Sequence, residues 1–158
     1  MTDAGPKFIA EVVRDADTAL HAAMMLLLPQ LDPQAAIPSI GALQAMLDAP
    51  GTHLLVARAE RGTGPIVGML TLSIVSTPSG VRAWIDDVVV DRGSRGRGIA
   101  TRLMNEALRL AAAQQATTVA LTSRPERVAA NRLYERLGFV RRETNVYRYV
   151  IEKDRPAQ

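Results

Sequence analysis

Apolar and polar side chains alternate from Phe8 to Val13, the period of a half-buried strand. The spacing then changes. Ala19, Ala22, Ala23, Leu26 and Leu27 fall on one face of a helix running to about Leu28, with Asp15 or Asp17 placed to cap it. Pro29, Pro33 and Pro38 punctuate the segment after that helix. Ser39 caps a second, short helix carrying Leu43, Met46 and Leu47, which Pro50-Gly51 stops. Three segments rich in β-branched and aromatic residues come next: Thr52 to Ala59, Ile66 to Val75 and Arg82 to Val90. The turns between them, Gly62-Thr63-Gly64-Pro65 and Thr77-Pro78-Ser79-Gly80, are too short for crossovers and predict an antiparallel meander.

Beyond Val90 the period becomes helical again. Ile99, Leu103, Met104, Ala107, Leu108 and Ala111 recur at three- and four-residue steps. Thr117 to Thr122 reads as a strand, and Arg127 to Leu137 as a helix ended by Gly138 in a C-cap position. Phe139 to Arg142 and Asn145 to Ile151 read as a closing hairpin. The order is β-α-α-β-β-β-α-β-α-β-β. The strand–helix–strand unit from Trp84 to Thr122 has a crossover long enough to make its two strands parallel. The fold class is α/β: a mixed, mostly antiparallel sheet flanked by helices. No linker or repeat divides the chain, so residues 1–158 read as one domain with its core over about 8–151.

Composition excludes several chemistries. The 158 residues contain no Cys, which removes disulfides, thiolate nucleophiles and thiolate metal sites. His21 and His53 stand far apart in unrelated contexts, and nothing around either suggests zinc or a Ser-His-Asp mechanism. No metal is expected. Met1 to Lys7 holds no basic region leading into an apolar stretch, and the apolar run Ala22 to Leu28 is too short to cross a bilayer. A cytoplasmic protein with no membrane partner is the expectation. Charge is unevenly laid out: residues 1–79 carry four Lys/Arg against seven Asp/Glu, and residues 80–158 carry fifteen against nine. The C-terminal half, at +6 against −3, therefore suits an anionic ligand.

The strand end Val88-Val89-Val90 leads into a loop with Gly93, Gly96 and Gly98, and that loop opens the long amphipathic helix. Amides at a helix start have no intrahelical partners, and the helix dipole adds positive potential there. Glycines let a diphosphate approach those amides, while Arg92, Arg95, Arg97 and Arg102 supply charge, so the loop is physically an anion site. A phosphate-binding P-loop would need Lys-Ser/Thr after the last glycine, where Ile99-Ala100 stand. A dinucleotide fingerprint would need Gly at position 101, which is Thr. An Arg-Gly patch for nucleic acid and a plain tight turn with solvated arginines both stay open at this point.

The loop resembles motif A of the Gcn5-related N-acetyltransferase superfamily, Arg/Gln-x-x-Gly-x-Gly/Ala, through Arg95, Gly98 and Ala100. Asn131-Arg132-Leu133-Tyr134-Glu135-Arg136-Leu137-Gly138-Phe139 resembles its motif B, and the element order resembles the family's over residues 8–151. The resemblance implies acetyl-CoA as co-substrate, bound where the two parallel strands splay apart. Its pyrophosphate would lie on the amides of Gly96, Arg97, Gly98, Ile99, Ala100 and Thr101, with Arg95 a further cofactor-binding residue of the loop. Pantetheine would pair with the backbone of Val88, Val89 and Val90, and Asn131 would hydrogen-bond the cofactor arm. Asn131 near a helix start can equally be a cap.

The resemblance also assigns the chemistry. Tyr134 is the candidate general acid, since a phenol of pKa about 10 matches a CoA thiolate. Taken without the motif, it reads as a core aromatic beside Ala130, Leu133 and Leu137. Asp86 and Asp87 are candidate bases for the amine: two acids within a strand are unfavourable by propensity. Strand alternation should turn one toward the substrate unless a bulge intervenes. Trp84-Ile85-Asp86-Asp87 resembles an Ile/Leu-Glu-Asp run in the superfamily's diamine and glucosamine-phosphate acetyltransferases, which ranks Asp86 first and Asp87 second. Leu121 to Arg127 bears a fainter likeness to acetyltransferases of small amino compounds, in which Ser123 or Arg127 would touch ligand.

The reading is an acetyl-CoA-dependent N-acetyltransferase acting by direct attack on a primary amine of a small molecule or protein, with no nucleic-acid partner. Its competitors are a non-catalytic acyl-CoA sensor and, third, a basic nucleic-acid-binding domain with steeply salt-dependent affinity. Homodimers are common in the superfamily, but no residue here specifies an interface.

Overall fold

In the computed structural model, which describes residues 8–59 and 62–151, the order along the sheet is the order along the chain. Strands β1 (Ile9–Val13), β2 (Thr52–Arg58), β3 (Ile66–Thr77) and β4 (Gly80–Val90) form the antiparallel meander, and β5 (Thr118–Ala120) adds to β4 in parallel. Two helices, α1 (Thr18–Leu31) and α2 (Ile40–Leu47), lie between β1 and β2, and α3 (Ile99–Ala113) makes the parallel crossover. Helix α4 (Val128–Arg136) follows β5. The expected mixed α/β sheet is present.

The described chain divides into two compact units, one ending at Ser123 and the other beginning at Arg124. In the first, β2 and β3 are covered on both faces. Leu54, Val56, Ile66 and Met69 pack with Leu20, Ala23, Met24 and Leu27 of α1 and Leu43 of α2. On the opposite face, a Cβ at Gly68 would lie 3.2 Å from Ile99 and 3.3 Å from Leu103, so the missing side chain is what lets α3 sit down on β3. The result is a run of buried residues from Leu54 to Ala57, as expected of a strand with no solvent face.

Caps read from the sequence are in place. Asp17 accepts the Leu20 N–H at 2.7 Å, which selects it over Asp15, and Ser39 accepts the Ala42 N–H at 3.1 Å. Helix α1 does not stop before Pro29 but continues to Leu31. Proline so near the end removes only its own N–H from the ladder, and at the helix end Asp32 N–H still donates to Leu28 O at 2.9 Å.

The second unit corrects one expectation. No strand forms between Phe139 and Ile151, so the closing hairpin is absent. Val140, Tyr147 and Tyr149 are 83%, 88% and 90% exposed. Strand propensity measures fit to a half-buried pleated surface, and these residues have none beneath them.

Candidate active site

Strand β4 carries a bulge at the acidic pair. Thr71 stands opposite Asp86 but Met69 opposite Val89, so β4 has one residue more than β3 across this interval. Asp87 absorbs it with φ +53°, in the left-handed region that Asp tolerates better than most side chains. The strict alternation that buries Ala83 and Ile85 would bury Asp87 as well. The bulge breaks the phase, and both Asp86 and Asp87 are exposed while Val89 and Val90 return to the core. A bulge does intervene, so alternation does not choose between the two carboxylates.

The two acids differ chemically. Although Asp87 as a residue is exposed, its carboxyl is partly desolvated, and this, with the negative Asp86 beside it, pushes the carboxyl above its ordinary range. Asp86 accepts a hydrogen bond from the Trp84 indole N–H at 3.1 Å.

On its other edge, β4 pairs with β5 only from Arg82–Thr118 to Trp84–Ala120. Beyond that point β4 continues through Asp86, Asp87 and Val88 to Val90, while the chain after Ala120 leaves the sheet. This is the parallel splay, and the acidic pair lies along it.

After Val90 a 3₁₀ turn (Arg92–Ser94) leads into the glycine loop. Gly96 and Gly98 take φ +76° and +74°, and a Cβ built on either meets nothing within 4 Å. Their side chains are absent for backbone shape and open approach, not for internal crowding. Gly98 occupies the N-cap of α3 without any side-chain cap, and the helical ladder begins with Arg102 N–H on Gly98 O at 3.1 Å. The amides of Ile99, Ala100 and Thr101 precede that first bond, as an anion site at a helix start requires. Arg97 and Arg102 are exposed, whereas Arg95 donates from Nε to Val90 O at 3.0 Å and braces the strand end.

In the second unit, Tyr134 is 6% exposed. Burial raises its phenol pKa above the ordinary value, against a smaller downward pull from Arg127. Asn131 Nδ2 donates to Arg124 O at 3.0 Å, so it braces the turn before α4. Ser123, at the end of the first unit, has a buried Oγ with no hydrogen-bond partner among the described residues.

Two residues absent from the sequence-derived site prove to shape the loop: Asp91 and Gln30. Asp91 carried a signal, an acid two residues before Gly93 at a strand end, the setting of an Asx turn; its Oδ2 accepts the Gly93 N–H at 3.1 Å. Gln30 carried none, being 61 residues away from its partner Asp91.

No group of three His, Cys, Asp or Glu able to hold a metal occurs among the described residues, and none of their helices is long and apolar enough to cross a membrane. A five-stranded mixed sheet with an open glycine loop between its splayed strand and the crossover helix is an acyltransferase architecture. Residues 20–139 match the model of the acetyltransferase (GNAT) family, and the chain belongs to that family, as an N-acetyltransferase.

Solved structures agree on the fold. An aminoglycoside acetyltransferase from an uncultured soil metagenomic sample superposes with TM-score 0.79 at 20% identity, covering 92% of this chain and 97% of that one. A Trypanosoma brucei acetyltransferase gives 0.71 at 24% identity, over 91% and 100%. Aminoglycoside N-acetyltransferase AAC(6')-Iy, in complex with CoA, gives 0.73 at 19%, over 95% and 99%. No curated relative matches the sequence.

Proposed function

We propose that this protein transfers the acetyl group of acetyl-CoA to a primary amine of a small molecule or protein, by direct attack of the amine. The observation that carries the reading is the loop itself. Gly96 and Gly98 are both left-handed and open above their Cα atoms, ahead of an uncapped helix start. That geometry fits a diphosphate, and CoA is the diphosphate-bearing substrate the family uses.

Acetyl-CoA supplies an acetyl thioester, an electrophile whose leaving group is a thiolate. The amides from Gly96 to Thr101, with Arg97 and Arg102 adding charge, hold the pyrophosphate. The backbone of Val88 to Val90 lines the pantetheine, and an N–H from that strand stabilises charge developing on the carbonyl oxygen. Asn131 offers its Oδ1 to the cofactor arm, its amide nitrogen being committed to Arg124.

Asp87 removes the amine proton, directly or through water. Its raised pKa makes it a stronger base than an ordinary carboxylate, and Asp86, already accepting from Trp84, contributes to that rise through its like charge. We therefore rank Asp87 ahead of Asp86, reversing the order that the sequence resemblance suggested. Tyr134, kept protonated by its burial, returns a proton to the departing thiolate.

Several solved neighbours are named as aminoglycoside acetyltransferases, so amino sugars head the acceptor panel, followed by polyamines, amino-acid amides and lysine peptides. The test is calorimetric titration with CoA, then thiol release from acetyl-CoA across that panel. CoA binding with amine-dependent thiol release supports the reading. CoA binding without turnover on any amine would leave only an acyl-CoA-binding module, and absence of CoA binding would overturn it.

A further inference from the structure

The last turn of α1, beyond Pro29, presents one side chain to the loop. Gln30 donates from Nε2 to Leu26 O at 3.0 Å, a bond that fixes the amide plane against its own helix. Its second N–H goes to Asp91 Oδ1 at 2.9 Å, and its Oε1 accepts the Arg92 backbone N–H at 2.9 Å. Both amide hydrogens and the carbonyl are therefore used, the full donor capacity of the group.

Its partner is the pivot where β4 becomes the glycine loop. Asp91 donates its own N–H to Val67 O at 2.8 Å, accepts Gly93 N–H on Oδ2, and accepts Ser94 N–H on its carbonyl at 2.9 Å. The hydrogen bonds that order this pivot come from β3, the loop's own turn and α1, and among the described residues Gln30 makes those from α1. Helix α1 is itself held by Leu20, Met24 and Leu27, which are buried in the core. Glycines at 96 and 98 supply no rigidity of their own, so the direction in which the chain leaves Asp91 sets where the following amides point.

We propose that Gln30 is a positioning residue for the diphosphate loop: its amide clamps the Asp91–Arg92 junction to α1 so that the Gly96–Thr101 amides stand preformed for CoA. The proposal rests on the CoA reading above. Its loss weakens binding of CoA far more than it slows turnover at saturation.

The clamp has a built-in test, because its donors and acceptors can be exchanged. Gln30→Ala removes it, and Gln30→Glu sets a carboxylate against Asp91. Adding Asp91→Asn to Gln30→Glu restores the bonds to the loop but not the one to Leu26 O, which a carboxylate cannot make: Asn Nδ2 donates to the new carboxylate, whose other oxygen takes Arg92 N–H, while Asn Oδ1 takes Gly93 N–H. CoA affinity is measured calorimetrically on the full chain for wild type, the two single variants and the double variant, with KM and kcat for acetyl-CoA alongside. Ser39→Ala, which uncaps α2 away from the loop, controls for general loss of stability.

The expected result is about tenfold weaker CoA binding in Gln30→Ala, the scale of one charge-assisted hydrogen bond, and a larger loss in Gln30→Glu. The double variant binds CoA more tightly than Gln30→Glu alone, kcat stays within about twofold, and Ser39→Ala keeps wild-type affinity. If wild type binds CoA and the Gln30 variants match it, or if Ser39→Ala loses as much, the clamp is not a positioning device. A double variant that binds no tighter than Gln30→Glu alone overturns the clamp as well. If wild type itself does not bind CoA, the functional reading falls first and this inference with it.

Discussion

Phe139 folds back onto Tyr134 across the end of their helix: its N–H donates to Tyr134 O at 3.0 Å, and the two rings meet edge-on with centroids 6.0 Å apart. Gly138 makes this possible. It takes φ +91° and donates to Glu135 O at 3.0 Å, giving with the Phe139 bond the paired closure of a Schellman motif. The Gly-Phe of the sequence motif is thus a device for seating an aromatic ring against the candidate acid. Gly138→Ala should lower stability by about 1–2 kcal/mol, the cost of a side chain in the left-handed region. Denaturant unfolding measures it. The same variant should lower kcat more than KM for the amine, because the Tyr134 ring loses its edge contact.

Tyr134→Phe separates chemistry from packing. The ring and its contact with Phe139 remain, so the melting temperature should stay within a degree or two. The proton donor is gone, and kcat should fall by roughly 10²–10⁴-fold, the range of general acid catalysis. In the wild type the phenol pKa lies above its ordinary value, so protonated enzyme persists to higher pH than a free tyrosine would allow. The alkaline limb of the rate profile should fall beyond about pH 10. A limb that falls well below that, or an unchanged kcat in the variant, would remove Tyr134 from the mechanism.

Much of this architecture was legible because its signals are local. Asp17, Ser39 and Gly138 are caps that bond within four residues, and the turns at 62–65 and 77–80 leave β2, β3 and β4 no option but to run antiparallel. Glycines at 96 and 98, flanked by arginines at a strand–helix junction, announce an anion loop from composition and position alone. The bulge at Asp87 was not legible, since its extra residue is defined only against Met69 and Thr71 of the neighbouring strand. Nor was Gln30, because a proline beside it argues for a helix end and its partner is distant in sequence. The segment after Phe139 erred the other way. Val146, Tyr147 and Tyr149 have strand propensity, but pairing requires a neighbour, and propensity does not provide one.

Asp87 should be a site where function opposes stability. Burial and the Asp86 charge raise its folded-state pKa. The folded protein therefore binds this proton more tightly than the unfolded chain, and the stability this contributes is present at low pH and lost as pH rises through the folded pKa. Asp87→Asn removes that loss and keeps a side chain tolerant of φ +53°. It should melt higher than wild type at pH 7, with the difference vanishing below about pH 4, where both states are protonated. Its kcat/KM should drop at neutral pH and its acidic limb should disappear. A thermal scan against pH and a rate profile check both halves. A lower melting temperature at pH 7 would contradict the raised pKa.

Gly68 sets how closely α3 approaches the sheet, and through α3 it sets the height of the anion loop. A Cβ there would stand 3.2 Å from Ile99 Cγ2, 3.2 Å from Val89 O and 3.3 Å from Leu103 Cδ1. One methyl asks Ile99 and Leu103, both fully buried, to give way by a few tenths of an ångström. The branched side chain of Val asks for more than two packed residues and a backbone carbonyl can yield. Gly68→Val should cost about 1–3 kcal/mol by overpacking, and Gly68→Ala less. Because Ile99 is the first residue of α3, the displacement is delivered where the diphosphate would bind. KM for acetyl-CoA should therefore rise in step with the stability loss from Ala to Val, while kcat changes little. Denaturant melts paired with acetyl-CoA saturation curves test the link, and a destabilised Gly68→Val with unaltered KM would break it.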